Sequence, residues 1–361
     1  MGTIDEVVDK YVYFDISVGQ NPTGRIVVSL YFTEAPKTCS HFVANLDKYQ
    51  NTYFHRVVKN FMVQGGDVVK GLVENYKEGK AGTGSPYKHI EDENLLHSLD
   101  KSFLLCMTNT GLNTNGTQFF ITTASAPHLQ GKNTVFGEVI HGKSVVREIE
   151  RVNTSLQGCP VESELPIITQ CGFWHPGDPV PIYNACYDTI GGDNYEEYPN
   201  DDETITKGSL LSAFEAASVV KDSGGALFKK GEYSKAYLKY KKSLRYVMEY
   251  IPDIDQEPEH YKNFEDLKTK LYLNLCLVTL KLKDYAKCFQ YGTYLLEYDL
   301  STPEKAKTYY RMGFARLEMR KYDEARKLLK SAHELASDPS IERVLNRAED
   351  ALKRQKEAQK S

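Results

Sequence analysis

Lys307 and Arg311 stand one helical turn apart, so both cationic heads fall on one helix face and can converge on a single anion, the arginine offering a bidentate fork. A second pattern suggests phosphate chemistry: Gly137-Glu138-Val139-Ile140-His141-Gly142-Lys143-Ser144 fits the GxxxxGK[ST] phosphate loop to the letter. That loop must curl around phosphates, whereas Val139-Ile140 is β-branched sequence that keeps extending, and no parallel βαβ context surrounds it. A strand, a tight Gly turn and a helix are expected there instead. The histidines show no ligand spacing; His55, His89, His97 and His141 read as loop or core residues, and no metal or cofactor is implied. The seven cysteines form no CxxC pair, and their odd number argues against a complete disulfide framework, so they read as small buried hydrophobes in a reducing compartment.

The elements that must position these residues change character along the chain. From Tyr11 to about Trp174, short alternating apolar runs punctuated by Gly, Asn and Pro predict strands. Tyr11 to Ile16 and Gly24 to Tyr31 are expected to be joined through a turn at Asn21-Pro22-Thr23-Gly24, with later strands at 61–63, 103–106, 118–122, 134–139 and 167–172. Ala35, Cys39, Phe42, Val43 and Leu46 fall at helical spacing behind Thr33 as N-cap, and Val145, Val146, Ile149 and Val152 repeat the pattern. Many strands with two helices predict a closed antiparallel β-barrel whose ends the helices cap. A connector follows, with three prolines in 175–181 and seven acidic but no basic residues in 188–204; Tyr183, Tyr187, Tyr195 and Tyr198 suggest that part of it docks on a surface.

Beyond Ser209 nearly everything reads as helix, with an internal repeat. Gly231-Glu232-Tyr233-Ser234-Lys235-Ala236, Lys283-Asp284-Tyr285-Ala286-Lys287-Cys288 and Arg320-Lys321-Tyr322-Asp323-Glu324-Ala325 share a polar turn, a Tyr and a small residue three later, at Tyr-to-Tyr steps of 52 and 37. Each unit is a helix, a turn and a second helix; the polar insert from Pro252 to about Lys268 explains the longer step, and a helix over 341–356 caps the stack. The units resemble tetratricopeptide (TPR) repeats. The expected organisation is a barrel domain at 1–175, a linker at 176–207 and an all-α TPR superhelix at 208–361.

The stretch Phe54-His55-Arg56-Val57-Val58-Lys59-Asn60-Phe61-Met62-Val63-Gln64-Gly65-Gly66-Asp67 resembles the cyclophilin signature, as do Glu91-Asp92-Glu93-Asn94 and Asn113-Thr114-Asn115-Gly116-Thr117-Gln118-Phe119-Phe120-Ile121-Thr122. The resemblance runs through nearly all of 11–174 and implies peptidyl-prolyl cis-trans isomerase activity. Rotation about an X-Pro bond faces a barrier of roughly 18 to 20 kcal/mol, because the amide nitrogen lone pair is delocalised. A catalyst needs no nucleophile and no metal, only an apolar slot for the ring and a donor to the prolyl nitrogen as it becomes pyramidal. The resemblance implies Arg56 as that donor and Phe61, Met62, Phe120 and Leu129 as the slot. Gln64, Gln118 and the backbone near Asn109 would hold the flanking peptide. His128 stands where the family usually has Trp, Asn133 where it usually has His, and Thr108 replaces a small residue. At about 1.4 kcal/mol of lost transition-state contact per change, each costs about tenfold in rate. Weakened activity and poor cyclosporin binding are expected.

The pairing of barrel and repeats resembles the large cyclophilins of the cyclophilin-40 type. That resemblance implies a carboxylate clamp for the acidic C-terminal tail of heat-shock protein 90, and by extension of the heat-shock protein 70 family, built from Lys221, Asn274, Lys307 and Arg311. Gly225 stands where the clamp usually has Asn. Proline-containing clients are the implied substrates; the alternative is a non-catalytic scaffold or holdase.

A formal charge of −4 gives no bias toward nucleic acid or anionic membrane, and no apolar run approaches the ~20 residues that span a bilayer. Glu6 spoils a myristoylation signal at Gly2, Gln359-Lys360-Ser361 is no prenylation or retention signal, and a cytoplasmic location is expected.

Overall fold

The computed structural model describes residues 10–76, 79–82, 89–206 and 208–358, so the Gly2, Glu6 and 359–361 readings lie outside the described residues. The chain divides into two units, Met1–Asn184 and Ala185–Ser361.

In the first unit eight strands, β1 (Tyr11–Val18), β2 (Asn21–Leu30), β3 (Arg56–Val58), β4 (Met62–Gly65), β5 (Leu104–Met107), β6 (Phe119–Thr122), β7 (Val135–His141) and β8 (Pro166–Phe173), form one curled antiparallel sheet ordered β3-β4-β6-β5-β7-β2-β1-β8. Its two edges meet through backbone bonds just before β3: Asn51 N to Ile168 O at 2.8 Å, Ile168 N to Thr52 O at 2.9 Å and Phe54 N to Pro166 O at 2.9 Å. Side chains alternate across the sheet, so Phe14, Ile26, Val63, Leu105, Phe119, Ile121 and Phe136 fill the interior with α1 (Pro36–Ala44) and α2 (Lys143–Glu150). Phe42, Tyr49 and Phe119 pack with mutual ring centroids 5.0 to 5.5 Å apart, mostly edge to face.

Two local expectations are corrected, and one strand is added. The β1–β2 turn is Gly19-Gln20, not Asn21 to Gly24: Gly19 takes the left-handed conformation at φ 58, and a bulge after Ile16 sets Pro22 opposite Ser17 within β2. Helix α1 is preceded by Ala35 rather than capped by Thr33, because Pro36 sits in its first turn and needs no partner for a missing N–H. Strand β3, only three residues long and holding a charge, carries too little alternation to be read in advance. The Gly137 to Ser144 stretch is indeed strand, left-handed Gly142 at φ 85 and helix.

The second unit stacks helices α3 (Leu210–Lys229), α4 (Tyr233–Tyr250), α5 (Pro258–Lys281), α6 (Tyr285–Leu295), α7 (Thr302–Glu318), α8 (Tyr322–Leu335) and α9 (Pro339–Ala358), the insert going into a lengthened α5. Each repeat Tyr opens a second helix, and two residues earlier each turn is left-handed: Gly231 at φ 82, Lys283 at 60 and Arg320 at 61. The next backbone N–H closes back on the first helix, Glu232 to Leu227 O at 3.0 Å, Asp284 to Thr279 O at 2.9 Å and Lys321 to Arg316 O at 2.9 Å, the closure of a Schellman cap.

The acidic connector is not solvated along its length. Residues from Ala185 onward belong to the helical unit, with Cys186, Ile190, Tyr195 and Ile205 in its core. Asp193, fully buried, accepts from Lys239 Nζ at 2.5 Å and Lys242 Nζ at 2.7 Å. Tyr246 donates to Asp202 at 2.6 Å, and Arg245 pairs with Glu197. The carboxylates are complemented by the basic face of α4, a match invisible while each stretch is read alone. Tyr195 and Tyr198 dock, while Tyr183 and Tyr187 stay exposed.

Candidate functional site

Sheet register builds the barrel's outer face. Arg56 lies opposite Gln64, Gln64 opposite Phe120, and Phe120 opposite Cys106, so one row of side chains crosses β3, β4, β6 and β5. Met62 and Gln118, two residues from Gln64 and Phe120, share that face, while Val63 and Ile121 point inward. Gln64 Nε2 donates to Gln118 Oε1 at 3.1 Å, fixing both buried amides. Met62, Phe120, Phe61 and Leu129 meet in one apolar cluster with Leu99, Leu104 and Val135. The Arg56 side chain is exposed at its edge, and among the described residues it pairs with no carboxylate.

Two supports hold the rim. The turn before Phe61 is fixed by α2, whose Glu150 accepts from Asn60 N at 2.8 Å and is itself paired with Arg147 at 2.8 Å. His128 lies with its ring 5.2 Å from the Phe61 ring at a 36° tilt, so the imidazole covers part of the aromatic surface. The loops on the other side are laced together: Asn109 Nδ2 donates to Lys132 O at 2.7 Å and Asn133 Nδ2 to Met107 O at 3.0 Å. Both amides are thus engaged with backbone.

One group, read from the sequence as an ordinary loop or core histidine, lies directly behind the site. His55, just before Arg56, is buried beside Asp67, Arg56 and Gln118, and burial pushes its pKa down to about 4. A neutral imidazole therefore backs the glutamine pair. Position gave no signal for this, since a lone His in a strand-like run reads as core.

An exposed guanidinium in register with an apolar cluster, with two hydrogen-bonded amides, suits a peptide whose proline packs on that cluster. The family model "Cyclophilin type peptidyl-prolyl cis-trans isomerase/CLD" matches residues 13–173. Peptidyl-prolyl cis-trans isomerase CYP7 of Saccharomyces cerevisiae is 43% identical over 349 residues, with 88% of each chain covered. The chain belongs to the cyclophilin-type peptidyl-prolyl isomerases. Peptidyl-prolyl cis-trans isomerase D of Kluyveromyces lactis is 38% identical over 319 residues, covering 84% of this chain and 83% of the relative, so the likeness extends past the barrel of this cyclophilin into its helices.

In the helical unit of this large cyclophilin, Lys221 and Gly225 lie on α3, Asn274 on α5, and Lys307 and Arg311 on α7, the first helices of successive repeats. Lys307 is exposed. Arg311 is largely buried, and its Nη1 donates to the Leu273 carbonyl at 2.7 Å, which ties it to α5 beside Asn274. Burial lowers its pKa from an ordinary value so high that it stays charged. Lys221 pairs at 2.9 Å with its exposed neighbour Asp222. A Cβ on Gly225 would meet nothing within 4 Å, so the missing side chain leaves open space.

Proposed function

We propose that this cyclophilin is a co-chaperone whose barrel isomerises X-Pro bonds slowly in client proteins and whose helical groove grips the acidic C-terminal tail of heat-shock protein 90, with heat-shock protein 70 tails as a second class of ligand. The observation that carries the second half is the Arg311 to Leu273 bond. It joins the cation on α7 to the residue preceding Asn274 on α5, which supports a clamp in which that amide and the fixed charge act on one anion, with exposed Lys307 one turn away.

In the barrel, Arg56 is the donor to the prolyl nitrogen, Phe61, Met62, Phe120 and Leu129 form the ring slot, and Gln64, Gln118 and the chain at Asn109 hold the substrate backbone. The weakening is supported by what stands at the rim. Asn133 spends its amide on Met107 O, and His128 offers less apolar area than an indole to substrate or to cyclosporin. A cytoplasmic role accords with this reading.

The test combines two measurements on the full chain. A proline-isomerisation assay should give a rate above background but below that of a cyclophilin with Trp and His at positions 128 and 133; no catalysis above background would leave only a peptide-binding barrel. A titration with an acidic chaperone-tail peptide should show binding that weakens with added salt and falls about tenfold in Lys307→Ala, the loss of one charge-assisted contact. Affinity untouched by that substitution would remove the clamp.

A further inference from the structure

Cys276 on α5 and Cys288 on α6 are twelve residues apart, as are Gly224 and Ala236 in the first repeat and Gly313 and Ala325 in the third. All three pairs sit where the two helices of a repeat cross. In the outer repeats the glycine has no room for a side chain: a Cβ on Gly224 would come within 2.8 Å of the Tyr240 ring, and one on Gly313 within 2.7 Å of Leu329 Cγ. Tyr240 and Leu329 stand four residues after the small residue of the second helix, and the matching position in the middle repeat is Gly292. The glycine has changed helices. Its missing side chain makes room for Met312 of α7, and at the crossing of α5 and α6 two cysteines stand where the outer repeats have Gly and Ala.

Both side chains are wholly buried and in contact, Cys276 Sγ donating to Cys288 O at 3.4 Å. Cys288 Sγ in turn lies 3.7 Å from the Arg311 carbonyl. We propose that Cys276 and Cys288 form a covalent modification site, an oxidisable dithiol that closes to a disulfide within the folded helical unit on exposure to a peroxide. The neighbouring Cys276 thiol and the Arg311 charge pull the pKa of Cys288 down, while Cys288 and burial push that of Cys276 up. Cys288 is therefore the sulfur that attacks. Its thiolate attacks one oxygen of hydrogen peroxide and the O–O bond breaks, so that oxygen stays on sulfur as a sulfenic acid while the other leaves as hydroxide and is protonated to water. Cys276 then attacks the sulfenic sulfur, its proton leaves with the hydroxyl as a second water, and the S–S bond forms. Two thiols lose two electrons and two protons, and one peroxide is reduced to two waters.

The consequence reaches the groove and rests on the clamp reading above. Cys276 is two residues from Asn274, and Arg311 bridges the two helices, its carbonyl at Cys288 on α6 and its guanidinium on Leu273 O of α5. Drawing the sulfurs to bonding distance moves α6 against α5 and displaces the Arg311 guanidinium from the Leu273 carbonyl. Tail binding weakens.

The experiment treats the full chain with dilute hydrogen peroxide, then unfolds it in an alkylating agent and maps the peptides. Alkylatable thiols should fall from seven to five, with the fragments bearing Cys276 and Cys288 joined, and dithiothreitol should restore them. The Cys276→Ala variant should instead yield a sulfenic acid at Cys288, captured by dimedone. Cys276 and Cys288 both remaining alkylatable after a dose that oxidises the less buried Cys159 overturns the proposal, as does a link that forms only above the unfolding temperature. Oxidised and reduced protein are then titrated with the acidic tail peptide, and an affinity at least about fivefold lower in the oxidised form is expected. Equal affinities overturn the coupling. Reduced protein that does not bind the peptide at all defeats the clamp reading, while the mapping still decides the cross-link.

Discussion

The barrel and the helical unit assemble their sites by opposite means. In the barrel, Arg56 and Gln64 face each other because two short strands pair residue against residue, and Phe120 follows from the next pairing; one backbone hydrogen-bond register aims the whole row. In the helices, the proposed clamp residues Lys221, Asn274 and Arg311 come from three separate repeats, so they can act together only through the stacking of first helices. A sheet register is all or nothing, since a slip of one residue turns every side chain to the other face. A repeat stack is graded, because each unit adds or withholds one contact. Single substitutions should therefore act sharply in one unit and incrementally in the other, unless they strike what holds the stack together.

Asp193 is such a place, and the largest effect is expected there. It is the carboxylate between Lys239 and Lys242, all three buried. Asp193→Ala leaves two ammonium groups without a counter-charge, and removing one partner of a buried pair costs about 3 to 5 kcal/mol. Denaturant unfolding should show that loss in the helical transition while isomerase activity persists below it. Activity that disappears with the helices would mean that the two units do not unfold separately. Asp188→Ala, at a half-exposed carboxylate 3.6 Å from Lys235 that also accepts from Ile190 N at 3.0 Å, is the milder comparison and should cost far less, about 1 kcal/mol.

Arg56→Ala comes next. Removing a donor used only in the transition state typically lowers the rate by about a hundredfold or more, roughly 2.7 kcal/mol, with little effect on ground-state binding. A coupled proline-isomerisation assay should show the fall in kcat/KM while tail-peptide affinity stays at the parent value. A variant that keeps its rate would leave the row of side chains without its proposed chemistry.

The buried His55 sharpens the contrast through pH. Its folded pKa of about 4 lies below the ordinary 6.5, so the unfolded chain takes up a proton over that interval and the folded barrel does not. Its contribution is complete above pH 6.5 and is lost as pH falls toward 4, a span that corresponds to at most about 3 kcal/mol. His55→Gln should flatten this part of the barrel's stability profile and leave the helical transition alone. An unchanged slope would show that the imidazole is not held neutral.

How legible each region is in the sequence follows from the same difference. Strands β1, β2 and β7 alternate over seven to ten residues and can be read directly, whereas β3 exists only because β4 pairs with it. Arg56 and Gln64 can be recognised as a motif, yet the neutral histidine behind them depends on burial, which adjacent letters do not encode. The repeats declare themselves through Tyr233, Tyr285 and Tyr322, since the same turn needs the same neighbours each time. The connector misleads: seven acids in a row of loops look solvated until the lysines of α4, some fifty positions on, are seen to face them. Local pattern carries the elements, and long-range charge pairing does not appear in it.

The smallest expected effect tests how graded the stack is. Gly225 lies inside α3 with open space where its Cβ would be, one turn after Lys221, so a larger side chain fits without displacing a neighbour. Asn there would add an amide able to donate to a bound carboxylate, and one neutral-to-charged hydrogen bond is worth about 1.5 kcal/mol, or roughly tenfold in affinity. Replacing glycine in a helix also stabilises the helix by a few tenths of a kcal/mol or more, which could tighten binding without any new contact. Gly225→Ala separates the two, because alanine gives the larger helix gain and no donor. Isothermal titration with the tail peptide should rank Asn above Ala, and Ala close to the parent. Equal gains in both would assign the benefit to the backbone and deny that this turn of α3 touches the ligand; a ranking with Asn alone raised would mean that the groove tolerates a missing contact and recovers it one residue at a time.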